Sequence, residues 1–104
     1  MQTIVIVLNA AKMTNPDLDI RYALPDRIQE FTNNEIQDNG YDYLSDIELG
    51  LWLETNDCVN HVDKIIELIK AEKFLDNDLS QIAEIYFSEE DCAEIENCRK
   101  IYPI

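Results

Sequence analysis

The chain has 104 residues, 46% of them apolar, and carries 8 Lys+Arg against 22 Asp+Glu for a formal charge of −14. Such a chain suits one domain, residues 1–104, with a single core, and its composition excludes a disordered tract. The charge repels nucleic acid and anionic membrane and attracts basic proteins.

Thr3–Leu8 opens the chain with an unbroken, mostly β-branched apolar run, read as a strand buried on both faces. Asn15-Pro16 suits the start of a short helical turn. Pro25 disfavours helix at Leu24 and suits a helix beginning at Pro25 itself, so helix one is expected over about 25–33. Asp38-Asn39-Gly40 reads as a turn and Tyr41–Leu44 as a short strand, closed by a second turn at Ser45-Asp46. Ile47, Leu49, Leu51 and Leu53 then alternate with Glu48, Gly50, Trp52 and Glu54, the clearest period-two strand in the chain.

Asp57 caps a second helix whose Cys58, Val62, Ile65, Ile66 and Ile69 follow helical spacing. Asp76-Asn77-Asp78 is a turn and Ile82–Phe87 a strand. Ser88 and Asp91 suggest a short capped helix to about Asn97, and Lys100–Tyr102 a final edge strand. The order β-α-β-β-α-β predicts an α/β (α+β) fold of ferredoxin-like type. This is a two-layer sandwich with helices on one sheet face and a short C-terminal helix/strand appendage.

With the Ile47/Leu49/Leu51/Leu53 series against the helices, the other face shows Glu48, Gly50, Trp52 and Glu54 beside Val5, Val7, Glu84 and Tyr86. An aromatic centre with an acidic rim resembles a protein interface. The competing expectation is that Ile101, Tyr102 and Ile104 fold over Trp52 as core. Tyr41, Asp42 and Tyr43, with Asp38 and Asp46 in the flanking turns, form a second candidate surface for Lys or Arg side chains. Asp38, Tyr41, Asp42, Tyr43, Asp46, Glu48, Trp52 and Glu54 are therefore the expected partner-binding residues. The charge distribution supports them. No Lys or Arg lies between Arg27 and Lys64, whereas Glu30, Glu35, Asp38, Asp42, Asp46, Glu48, Glu54, Asp57 and Asp63 all do.

Catalytic and metal signatures are weak. His61 is the single histidine, and Cys58 one turn before it makes a poor dyad with no orienting residue. Asp17/Asp19 and Asp76/Asp78 lack the glycine and terminal glutamate of a calcium loop. With two glycines there is no phosphate-cradling loop. No catalytic residue, metal or cofactor is expected, and the chain is read as a binding protein and not an enzyme. Cys58, Cys92 and Cys98 follow no CxxC spacing, and the opening apolar run is too short for a leader or a span. Reduced thiols in the cytoplasm are expected.

In its Asn15–Pro25 run, its Asn39–Trp52 run and its acidic middle, the chain resembles the small acidic immunity proteins of bacterial polymorphic-toxin and contact-dependent growth inhibition systems. The resemblance implies a cognate toxin domain as partner, often a nuclease with a basic cleft, held inactive without contact to nucleic acid or membrane. The alternatives are a nucleic-acid-mimic inhibitor and a small regulatory ligand-binding domain.

Overall fold

The computed structural model describes residues 1–103, and the expected cover by Ile104 lies outside them. Strand β1 (Gln2–Asn9) runs up the middle of a five-stranded sheet, between β3 (Glu48–Thr55) and β4 (Glu84–Ser88). Strand β2 (Ile36–Tyr43) forms one edge beside β3, and β5 (Arg99–Tyr102) forms the other beside β4. Every neighbouring pair is antiparallel. Helices α1 (Ile20–Phe31) and α2 (Cys58–Ala71) complete a mixed α/β domain with a mostly consecutive β-α-β-β-α-β order, then β5. No helix among the described residues is long and apolar enough to cross a membrane.

The register assigns each side chain to a face. Ile4 pairs with Leu53, Ile6 with Leu51 and Leu8 with Leu49, while Ile85 and Phe87 extend the same face across β4. Onto it pack Ile20, Leu24 and Ile28 of α1 and Val62, Ile65, Leu68 and Ile69 of α2, giving the core. Residues Thr3 to Leu8 are all buried, as an unbroken apolar run predicts for a strand covered on both sides.

Several expectations need correction. Helix α1 begins at Ile20, and Pro25 lies inside it. Burying Ile20, Leu24, Pro25 and Ile28 on one stripe outweighs the single hydrogen bond that Pro25 cannot donate. Asn15 starts no helical turn. Its backbone N–H donates to Asn77 Oδ1 (2.9 Å), and Asn77 Nδ2 returns a bond to the Asn15 carbonyl (2.7 Å). The Asp38-Asn39-Gly40 run lies inside β2 as a bulge, where the register with β3 shifts and Gly40 takes φ +97°.

Ile47 drops out of the strand. It is 49% exposed in a turn where Ser45 Oγ accepts from the N–H groups of Ile47 and Glu48. The expected helix before Asn97 shrinks to a 3₁₀ turn at Ile95–Asn97, because Cys92 sits at φ +48° and breaks any longer helix.

The two leucine-series positions now differ physically and should differ in cost. Leu51→Ala removes a fully buried side chain from the central layer and is expected to cost about 2–5 kcal/mol in urea unfolding. Ile47→Ala is expected to change stability by less than about 0.5 kcal/mol.

Candidate functional site

The expected partner-binding residues divide between the two faces of the sheet. Tyr41 pairs with Leu51 and Tyr43 with Leu49, so both tyrosines lie on the helix side, beyond the reach of α1's apolar stripe. Asp38, paired with Leu53, shares that side at the far end of the bulge. Asp42 pairs with Gly50 and joins Glu48, Trp52 and Glu54 on the opposite face. Asp46 is exposed in the β2–β3 turn that joins the two groups.

On the helix side an exposed apolar patch forms at the β2 edge. Leu18, Tyr22, Tyr41, Tyr43 and Ile47 account for five of the eight large apolar side chains left exposed among the described residues. The Tyr22 and Tyr41 rings meet edge to face at 6.2 Å, and the Tyr41 and Tyr43 rings do so at 6.1 Å. Leu18, Tyr43 and Ile47 line a small apolar cleft of about 60 Å³ shared with Asp46 and Glu48.

Arg21 is locked into this patch. Its guanidinium lies 4.8 Å from the Tyr22 ring centre and 5.2 Å from that of Tyr41, and one of its N–H groups donates to Tyr43 Oη at 3.3 Å. The Tyr22 and Tyr43 hydroxyls hold the Arg21 pKa above its ordinary value, and Tyr22 in turn pushes the Tyr41 phenol up against the opposing pull of Arg21. The cation thereby holds three tyrosines in place.

Sequence reasoning missed Leu18, Arg21 and Tyr22 as site residues because it began helix one at Pro25. The signal was the i, i+4, i+8 spacing of Ile20, Leu24 and Ile28. That spacing leaves Arg21 and Tyr22 at the margin of the buried stripe.

The opposite face is covered in its middle. Its central row is Trp52, Val5 and Tyr86, with Gly50, Val7 and Glu84 beside it. Among the described residues the cover is the return segment after β4 and not Ile101 or Tyr102. Trp52 Nε1–H donates to the Ala93 carbonyl (2.9 Å), Thr3 Oγ1 donates to the Glu90 carbonyl (2.8 Å), and the Ala93 N–H donates to Thr3 Oγ1 (3.0 Å). Ile101 and Tyr102 instead join the helix-side core. Trp52 is therefore half-buried, with Val5 sealed beneath, and burial pushes the Tyr86 phenol up. Between the β2 bulge and this segment an open cleft of about 270 Å³ remains beside Trp52.

His61 does not form a dyad with Cys58. Its Nδ1 meets Thr55 Oγ1 at 2.7 Å and its Nε2 meets Glu35 Oε2 at 2.7 Å, with Lys64 Nζ 3.2 Å from the other Glu35 oxygen. Both ring nitrogens are engaged and Thr55 is fully buried, so the group ties the end of β3 to the α1–β2 loop. The Cys58 thiol is buried, which raises its pKa and keeps it protonated.

The close fit of Trp52 over the sheet gives a direct test. A Cβ on Gly50 would stand 2.6 Å from Trp52 Cζ3. Gly50→Ala is expected to destabilise by about 1–3 kcal/mol and to shift the Trp52 emission as the indole is displaced. Unchanged emission with unchanged stability would contradict that packing.

No protein-family model matches the chain, and no curated protein or solved structure matches it either.

Proposed function

We propose that this protein neutralises a toxin domain, of the nuclease class with a basic cleft, by capturing it on the acidic, aromatic edge around β2. In this reading it is a cytoplasmic immunity protein of ferredoxin-like fold extended by β5. The observation that carries the reading is the clustering of Leu18, Tyr22, Tyr41, Tyr43 and Ile47 on one edge, flanked in sequence by Asp17, Asp19, Asp42, Asp46 and Glu48. Contiguous exposed apolar surface rimmed by charge marks interaction sites, and tyrosines are favoured anchors in them.

The electrostatics fit the same partner. A nuclease cleft carries Lys and Arg to hold phosphate, so a chain of charge −14 is drawn to it and associates faster than a neutral one, by about 10–10³-fold at low salt. Desolvated aromatic anchors then slow dissociation. A phosphate mimic would have no use for an exposed apolar patch, which weighs against that alternative.

The test is growth rescue. The C-terminal domain encoded directly upstream of this gene is expressed in bacteria with and without this protein. The expected result is killing by the domain alone and restored growth with the protein. Tyr43→Ala combined with Asp46→Lys is expected to weaken capture by at least about tenfold while leaving the fold intact, since both positions are exposed. A domain that is harmless, or that kills regardless, would overturn the proposal.

A further inference from the structure

We infer that the cleft beside Trp52 is a receptor for one arginine side chain of the basic partner, with the indole as stacking wall and Asp42 and Glu94 as counter-charges. The partner's identity rests on the neutralising reading above; the chemistry of the cleft does not.

The cleft, about 270 Å³, lies between the β2 bulge at Asn39 and Gly40 and the segment Cys92–Glu94. Its walls are fixed before any guest arrives. Gly40 at φ +97° sets the bulge, and Asn39 Nδ2 reaches Cys92 Sγ at 3.7 Å. Ala93 is stapled to β1 through Thr3 and to Trp52 through the indole N–H. The six-membered ring of Trp52 lies over Gly50, where no Cβ fits. The indole is thus held in one orientation, with one flank toward the cleft.

The cleft is short of a cation. Elsewhere the chain's own cations already cover aromatic rings: Arg21 lies over Tyr22 and Tyr41, Arg27 over Phe31, Lys70 over Tyr102 and Arg99 over Phe87. Trp52 has the strongest cation-binding ring of all, yet no cation lies over it among the described residues. Asp42 and Glu94 line the same cleft, and neither is in an ion pair among the described residues. An indole wall, two carboxylates and a preformed cavity specify a cationic guest.

Guanidinium fits better than ammonium. It is planar, so it stacks on an indole, and it is weakly hydrated, so it leaves water at lower cost. Its forked donors reach a carboxylate in bidentate fashion, whereas a lysine is held only as a point charge.

Trp52 is the single tryptophan, so its emission reads this site alone. The full chain is titrated at low ionic strength with tetra-arginine amide, tetra-lysine amide and tetra-citrulline amide. The expected result is a saturable emission change with arginine, at least about fivefold weaker binding of lysine, and no change with neutral citrulline. Asp42→Asn with Glu94→Gln is expected to weaken arginine binding at least about tenfold. Asp26→Asn with Asp63→Asn removes the same charge from exposed helix positions and is expected to leave binding within about twofold.

A silent titration, equal response to lysine or citrulline, or equal loss in both double variants would overturn the inference. Arginine binding that depends on the cleft, found together with failed growth rescue, upholds the receptor and overturns the neutralising reading. Rescue with a silent titration overturns the receptor alone.

Discussion

Strand β1 has no solvent-facing side, and the rest of the molecule is arranged to satisfy that constraint. Its helix-side residues Ile4, Ile6 and Leu8 require a layer of helices, which α1 and α2 supply. Its other residues, Thr3, Val5 and Val7, require a second cover. Among the described residues there is no third helix of length to provide it, so the return from β4 to β5 folds back over this face, bonded to Thr3 and to Trp52 beside Val5. Thr3 holds that return by accepting the Ala93 N–H and donating to the Glu90 carbonyl. Cover is thus concentrated over β1 and runs out toward β2, where seven of eight residues are exposed. The candidate surface is what remains uncovered.

The same economy governs charge. Of eight cations, several are committed within the molecule. Arg27 makes a two-point bond to Glu72, joining α1 to the end of α2, and reaches Glu30 as well. Lys64 holds Glu35, and Lys100 holds Glu84, whose carboxyl is kept below its usual range by that bond. Arg21 is engaged with tyrosines. The β2 side is left with aspartates, Asp38, Asp42 and Asp46, that have no ion-pair partner among the described residues. An edge strand that carries a bulge and only negative charge is guarded against pairing with neutral and acidic strands.

Much of this was legible in the sequence, and the failures have physical causes. The unbroken run of β1, the alternation of β3 and the cap and spacing of α2 all reflect burial patterns that repeat within one element. They were readable for that reason. The start of α1 was not, because the local preference of Pro25 was weighed above a stripe whose value appears only against the sheet. Ile47 obeyed the period of β3 but was claimed by the Ser45 turn. The cover over Trp52 depended on which of two C-terminal segments crosses the sheet, a long-range choice that no local pattern encodes. Tyr41, Asp42 and Tyr43 were grouped as one candidate surface, yet strand alternation sets both tyrosines on the opposite face from Asp42.

The central claim, that the uncovered β2 edge is the binding surface, is tested most directly by amide hydrogen exchange with and without a toxin domain that the protein neutralises in the growth-rescue test. The account predicts new protection in residues 17–23 and 36–50 on complex formation, with α2 unchanged. Protection confined to α2 or to the β5 edge, with β2 exchanging as in the free protein, would contradict it.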